Sequence, residues 1–251
     1  MSHAELQDLM LFGVKWEINE VSNTPRDVEP VVQTTNNGIH ISNATIVPPI
    51  APAQNISLAT VTSMAARPTD IESLCRMIGE FNHPLRRTAT NVVLPHIAPN
   101  PNGIMILTDI PGAEDDENGK ILSGPAGEMI DKMLDAVGLS RDSVSISPML
   151  FWRTPGGRTP TKEEIALARP FVDRIVEMIA PKIVITLGTL PAVEFAHLQL
   201  PKDHGIPTDT DYGAKIIPIY HPNYLALKPS AKRDVWNALQ NIQNLLKTAQ
   251  K

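Results

Sequence analysis

The stretch Ile104-Met105-Ile106-Leu107-Thr108-Asp109-Ile110-Pro111-Gly112 decides how this chain is read. An unbroken apolar run meets a threonine and a carboxylate, and a Pro-Gly pair then turns the chain. Such a run, closed by turn residues, predicts a strand buried on both faces. Three more runs of this kind follow: Ser143–Pro148, Lys182–Leu187 and Lys215–Tyr220. Helical segments lie between and after them. One spans Gly124–Gly138, with Gly138 as its stop signal. A second spans Thr161–Ala180, opening on Thr-Lys-Glu-Glu, with Pro181 past its end. A short one runs from about Leu190 to Leu198, and the last covers Ser230–Thr248. Upstream, Pro68-Thr69-Asp70 opens a helix to about Gly79, with Thr69 as cap and Glu72 as its capping-box partner. Strands alternating with helices predict a mostly parallel, four-stranded sheet covered on both faces. The expected fold is a three-layer α/β/α domain over residues 67–251.

Two further segments precede that domain. Residues 1–20 place Leu6, Leu9, Met10, Val14 and Ile18 at roughly helical spacing, an N-terminal amphipathic helix. It either folds back onto the domain or docks a protein partner. Residues 21–66 are rich in Thr, Asn, Pro and Val and contain Pro-Pro-Ile-Ala-Pro-Ala. They read as an extended, largely disordered linker.

Composition narrows the function classes. Among 251 residues there is one cysteine, Cys75. That excludes a disulfide framework, a Cys-based zinc site and a thiolate-held iron–sulfur cluster. No apolar run reaches the roughly 18 residues of a membrane span, so no membrane association is expected. Residues 1–20 lack the pattern of a signal peptide, so a cytoplasmic location is expected. The net charge of −5 is unevenly spread. Residues 1–67 hold three basic and six acidic side chains, whereas residues 213–251 hold six basic and one acidic. A polyanion would therefore meet the C-terminal end.

In a parallel sheet, ligands gather beyond the carboxyl ends of the strands. Asp109 ends the first strand, where it could act as general base, orient water or merely cap a turn. His221-Pro222 follows the fourth strand, where an imidazole could donate a proton, stabilise an anion or satisfy a carbonyl. No His-x-His, His-xxx-His or second close carboxylate completes a metal site. The loop after the second strand, residues 151–160, sets Arg153 and Arg158 in a Gly/Pro frame that suits phosphate. The alternative there is a surface loop whose arginines pair with local carboxylates. Lys228, Lys232 and Arg233 start the last helix beside the His-Pro turn, a second phosphate candidate against a plain solvated cap. Arg86 and Arg87 are a weaker pair.

From about Ile71 to Lys247 the chain resembles the uracil-DNA glycosylase superfamily, nearest its bacterial family-four branch. The matching stretches are HPLRRTATNVV (83–93), IMILTDIPGAEDDENGKILSGPAGEMIDKML (104–134), FWRTPGGRTPTKEEIALARPFV (151–172), PKIVITLG (181–188) and YHPNYLALKPSAKRDVW (220–236). The resemblance implies excision of uracil or another deaminated base from single- or double-stranded DNA. The base leaves the stack, enters a pocket, and its N-glycosidic bond is hydrolysed. Asp109 falls on the carboxylate of the family's Gly-Glu-Ala-Pro-Gly motif, within Thr108-Asp109-Ile110-Pro111-Gly112. His221-Pro222-Asn223 falls on its His-Pro-Ser motif. The implied base pocket is Ile110, Pro111, Gly112, Leu122, Pro148 and Asn223; the implied DNA contacts are Arg153, Arg158, Lys228, Lys232 and Arg233.

The departures are equally specific. The family holds a four-iron cluster on four cysteines, and those positions are here Glu80, His83, Trp152 and Ala168. No cofactor is therefore expected. The family's uracil-stacking Phe falls on Leu122 and its uracil-reading Asn on Pro148, which offers no side-chain donor or acceptor. Two main readings follow: a glycosylase of altered base preference, or a catalytically degenerate member that binds DNA or a protein partner. A third, a nucleotide-binding domain, lacks a Gly-rich phosphate loop after the first strand.

Overall fold

A computed structural model of the chain describes residues 57–211 and 213–249. The expected N-terminal helix (1–20), and the linker as far as residue 56, lie outside the described residues. The described part contains helices α1 (Leu58–Ala65), α2 (Ile71–Glu80), α3 (Ala113–Asn118), α4 (Gly124–Asp135), α5 (Lys162–Ile179), α6 (Pro222–Leu227) and α7 (Lys232–Ala249). Its strands are β1 (Ile104–Thr108), β2 (Val144–Pro148), β3 (Ile183–Leu187), β4 (Thr208–Asp209) and β5 (Lys215–Ile219).

The strand order is β2-β1-β3-β5-β4. The four predicted strands pair in parallel, in a shared register that aligns Thr108 with Pro148 and Leu187, and Leu187 with Ile219. A fifth strand corrects the four-stranded expectation. β4 is a two-residue antiparallel edge on β5, too short to leave a hydrophobic pattern. Chain order reverses between β1 and β3, so the crevice beyond their carboxyl ends is the topological switch point of the sheet.

Alternation along each strand builds the three layers. Ile104, Ile106, Ile185 and Ile217 face one way, onto Ile130 and Leu134 of α4 and Val235 and Leu239 of α7. Met105, Leu107, Val184 and Ile216 face the other way, onto Leu74 and Ile78 of α2 and Phe171 and Ile175 of α5. Val61 and Ala65 of α1 join the second layer, at 0% and 2% exposure. Residues 58–65 are thus part of the domain, a correction to the linker boundary at 66. Ser57 caps α1 by accepting the Thr60 N–H.

Other boundaries shift locally. Asp70 rather than Thr69 caps α2, accepting the Ser73 N–H at 2.8 Å. The segment after Gly188 is a π turn over Pro191–Phe195 rather than a regular helix. The last helix begins at Lys232, after a 3-10 turn at Pro229–Ala231. The capping box of α5 forms as expected, between Thr161 and Glu164.

Candidate active site

Asp109 leaves β1 at the switch point, and both neighbouring strands hold it. Its carbonyl accepts the Met149 N–H beyond β2 at 3.3 Å. Its carboxylate accepts the Leu190 N–H beyond β3 at 3.2 Å and lies against Gly188. A Cβ at Gly188, where φ is +105°, would stand 2.5 Å from Asp109 Oδ2, so only glycine fits both the backbone and the carboxylate. Burial pushes the Asp109 carboxyl up to about 7, and the single Leu190 N–H only partly opposes that shift. A carboxyl group that changes protonation near neutral pH suits general-base work.

His221 stands beyond β5 and caps α6. Its Nδ1 accepts the Asn223 N–H at 3.2 Å. With Nδ1 accepting, the proton of the neutral ring sits on Nε2. Burial lowers the imidazole to about 4, so near neutral pH the group is an uncharged N–H donor. β1 and β5 flank β3, so the strands carrying Asp109 and His221 stand two strand spacings, about 10 Å, apart.

The turn after Asp109 is fastened by acids the sequence presents as a surface cluster. Asp115 accepts the N–H groups of Gly112, at 2.9 Å, and Ser123, at 2.6 Å. Asp116 accepts those of Thr90 and Asn91, at 2.9 and 3.0 Å. Both carboxylates are buried, so their charge is turned to the backbone rather than to solvent. Their backbone partners lie up to 26 residues away, which no local pattern reveals.

Among the expected pocket residues, Pro111 is buried, Ile110 is half-buried and Gly112 is the exposed N-cap of α3. Leu122 is 4% exposed, with φ at +50°. Its carbonyl accepts from Arg141 Nη2 at 2.7 Å, and it shares an apolar cluster with Leu225 of the His221 helix. Pro148 is buried at the end of β2, in register with the residue before Asp109. Asn223 engages His221 through its backbone, and its residue surface is exposed.

The phosphate candidates separate. Arg158 is exposed and donates to both carboxylate oxygens of Glu164 at 2.8 and 2.6 Å. The pairing with a local carboxylate, one of the two readings of this loop, is therefore formed. Glu164 also completes the α5 capping box, which fixes the fork. Arg153 is half-buried and makes none of the ion pairs found among the described residues. Lys228 and Arg233 are exposed beside the His221 turn, and Lys232 is half-buried. Residues not singled out from sequence also reach this rim. Leu227 is 86% exposed and Tyr224 is 37% exposed, both on α6.

The four positions of the family's cluster do not fit an iron–sulfur centre. Glu80 is exposed, while His83, Trp152 and Ala168 are 0% exposed. The His83 ring lies parallel to the Trp152 ring, 4.5 Å away with 5° between planes. Its Nδ1 accepts the Leu85 N–H, and its Nε2–H donates to the Glu164 carbonyl at 3.1 Å. Both ring nitrogens are thus occupied, and none of the four residues is a thiolate donor. Among the described residues, no group of three or more His, Cys, Asp or Glu is placed to hold a metal ion.

Comparison with known proteins agrees with this geometry. A family model described as "Uracil DNA glycosylase superfamily" matches residues 94–240, from just before β1 into α7. The chain is 33% identical to a type-4 uracil-DNA glycosylase of Thermotoga maritima over 145 residues, which is 57% of this chain and 75% of that protein. It is 29% identical to one from Archaeoglobus fulgidus over 171 residues, 64% of this chain and 85% of that protein. With the family model covering more than half of the chain, and a 33% identical relative covered over three quarters of its length, the chain belongs to the uracil DNA glycosylase superfamily.

Proposed function

We propose that this protein is a DNA glycosylase of the uracil-excising type, acting in base excision repair without an iron–sulfur cofactor. The observation that carries the reading is the desolvated Asp109 carboxyl set across β3 from the neutral His221. The relatives in Thermotoga maritima and Archaeoglobus fulgidus bear the name of that activity. In the reaction, the C1′–N bond of a flipped nucleotide breaks and the base departs with the bonding electron pair. The sugar gains oxocarbenium character, which an ionised Asp109 stabilises. The same carboxylate takes a proton from the water whose oxygen adds to C1′. His221 Nε2–H donates to the oxygen on which the leaving base concentrates its negative charge. A neutral imidazole suffices there, since it stabilises the anion by a hydrogen bond without transferring its proton.

DNA is the partner this chemistry requires. Lys228 and Arg233 stand where the strand would pass, and the exposed Leu227 is an apolar wedge for the gap left by the flipped base. With Leu122 and Pro148 in the pocket, selectivity for uracil over other deaminated bases falls. A site that hydrogen-bonds its ligand discriminates by roughly 10⁴-fold, and Pro148 cannot take part. Among the described residues no helix is long and apolar enough to cross a membrane. The reading places the protein with the DNA, in the cytoplasm.

The test is excision on single- and double-stranded oligonucleotides carrying uracil, hypoxanthine or xanthine, with alkaline cleavage of abasic sites. Wild-type protein is expected to cleave, and Asp109→Asn to lower the rate at least about 100-fold. A folded wild-type protein that cleaves none of these substrates would overturn the assignment.

A further inference from the structure

Aromatic residues are only 4% of the chain, yet three ring-bearing side chains form one stack beside His221. His204 lies on Tyr220 at 4.2 Å with 28° between planes. Tyr220 lies on Tyr224 at 4.7 Å with 35° between planes. The stack begins in the loop before β4, passes through the residue preceding His221 and ends on the first turn of α6. Its outer ring, Tyr224, is 37% exposed, next to the 86% exposed Leu227. The Lys228 ammonium stands 6.0 Å from the Tyr224 ring centre.

Tyr224 has Tyr220 against its ring and the Lys228 ammonium over it, and with the neighbouring Leu227 its exposed part forms an apolar surface flanked by a cation, which suits an aromatic base carrying a phosphate. Position identifies it. The Tyr224 N–H donates to the His221 carbonyl at 2.9 Å, so its backbone is about one helical turn, roughly 5 Å, along α6 from that of the catalytic histidine. That is of the order of one nucleotide step along a strand. Charge points the same way. The groove beyond Tyr220, about 380 Å³, is lined by His204, Asp234, Asn237 and Asn241, and its carboxylate repels phosphate. Lys228 and Arg233 leave the Tyr224 side as the path for the strand backbone.

We propose that the His204–Tyr220–Tyr224 stack is a nucleobase platform, on which the unpaired base next to the excised one stacks. The proposal rests on the glycosylase reading for its choice of strand, and it adds a second base-binding site outside the excision pocket. It makes the protein favour single-stranded DNA, because in a duplex the neighbouring base is already stacked and paired. Base–aromatic stacking tolerates any sequence, since every base has a π-face. The site therefore sets strand preference rather than base preference.

The probe is a single-stranded oligonucleotide without uracil, carrying 2-aminopurine, whose fluorescence is quenched by stacking. Binding is measured with wild type, Tyr224→Ala and Tyr224→Phe, alongside a duplex of the same sequence. Melting temperatures serve as the folding check. Expected is quenching by wild type, about tenfold weaker single-strand binding in Tyr224→Ala, near-full retention in Tyr224→Phe, and a duplex affinity changed less than twofold. Equal single-strand affinity in wild type and Tyr224→Ala would overturn the platform. So would equal losses on single and double strands, or a loss in Tyr224→Phe matching that in Tyr224→Ala. Because no base is excised in this assay, the platform and the glycosylase reading fail independently. Quenching without cleavage of any deaminated base keeps the first and removes the second.

Discussion

At the residue scale, burial favours the uncharged forms of both Asp109 and His221, and that has opposite consequences with pH. Asp109 titrates at about 7 in the folded chain, against 3.8 for its ordinary value. The folded state therefore holds a proton that the unfolded state releases, and stability falls as pH rises from about 4 to 7. Above 7 the full cost is present, up to about 4 kcal/mol by linkage. Asp109→Asn removes the titration while keeping the shape. Its melting temperature is expected to exceed wild type at pH 8 and to match it more closely at pH 5, with activity lost at both. A lower melting temperature at pH 8 would show that the carboxylate is stabilised by contacts stronger than the Leu190 N–H. His221 runs the other way: lowered to about 4 from 6.5, it costs nothing above 6.5 and destabilises the fold as pH falls from 6.5 towards 4. Activity on the acid limb should follow Asp109 ionisation, with kcat/KM rising through about pH 7.

At the scale of elements, what is legible depends on whether a segment's structure is decided locally. The four parallel strands stand out as apolar runs because each is buried on both faces, and Asp109 and His221 were found because strand ends are where such sheets bind. β4, α3 and α6 were missed because two to six residues carry no period. α1 was read as linker because Leu-Ala-Thr-Val-Thr-Ser-Met-Ala is rich in β-branched residues, which are weak helix formers. Its helix is set by packing on α5, which buries Val61 and Ala65, a tertiary effect that propensity cannot show. The Arg158–Glu164 fork is hidden for a similar reason: a bidentate partner six residues on looks, in sequence, like two solvated charges. The aromatic stack was invisible because it joins residues 204, 220 and 224 through the sheet edge. The α1 result carries a stability prediction. A chain lacking residues 1–66 should be less stable than one lacking residues 1–56 by at least about 2 kcal/mol, the worth of one buried Val side chain. Identical melting of the two truncations would show that α1 contributes nothing to the core.

At the scale of the whole molecule, the layer made by α1, α2 and α5 has one task beyond burying the sheet. It joins three segments distant in sequence, two of them carrying His83 and Trp152. His83 links the turn at Pro84–Arg87 to α5 by its bonds to the Leu85 N–H and the Glu164 carbonyl. Stacking on Trp152 links both to the loop that leaves β2 and carries Arg153. Phe81 packs edge-on against Phe171 at 5.0 Å and against Trp152 at 6.0 Å, closing the cluster. Trp152 Nε1 has no partner among the described residues, so the fit is apolar and dispersive rather than fully hydrogen-bonded. These segments are held by close packing and hydrogen bonds between side chain and backbone. Purified protein is therefore expected to be colourless, to contain no stoichiometric iron, and to melt at the same temperature with or without a chelator. His83→Ala removes two hydrogen bonds and a stacked ring, and should cost about 3 kcal/mol. His83→Phe keeps the ring and should recover part of that loss. Burial holds the His83 ring neutral, so wild-type stability should also decline as pH drops below 6.5, and the decline should be shallower in His83→Phe. Bound iron at one cluster per chain, or a His83→Ala protein that melts like wild type, would show that these segments are held together in some other way.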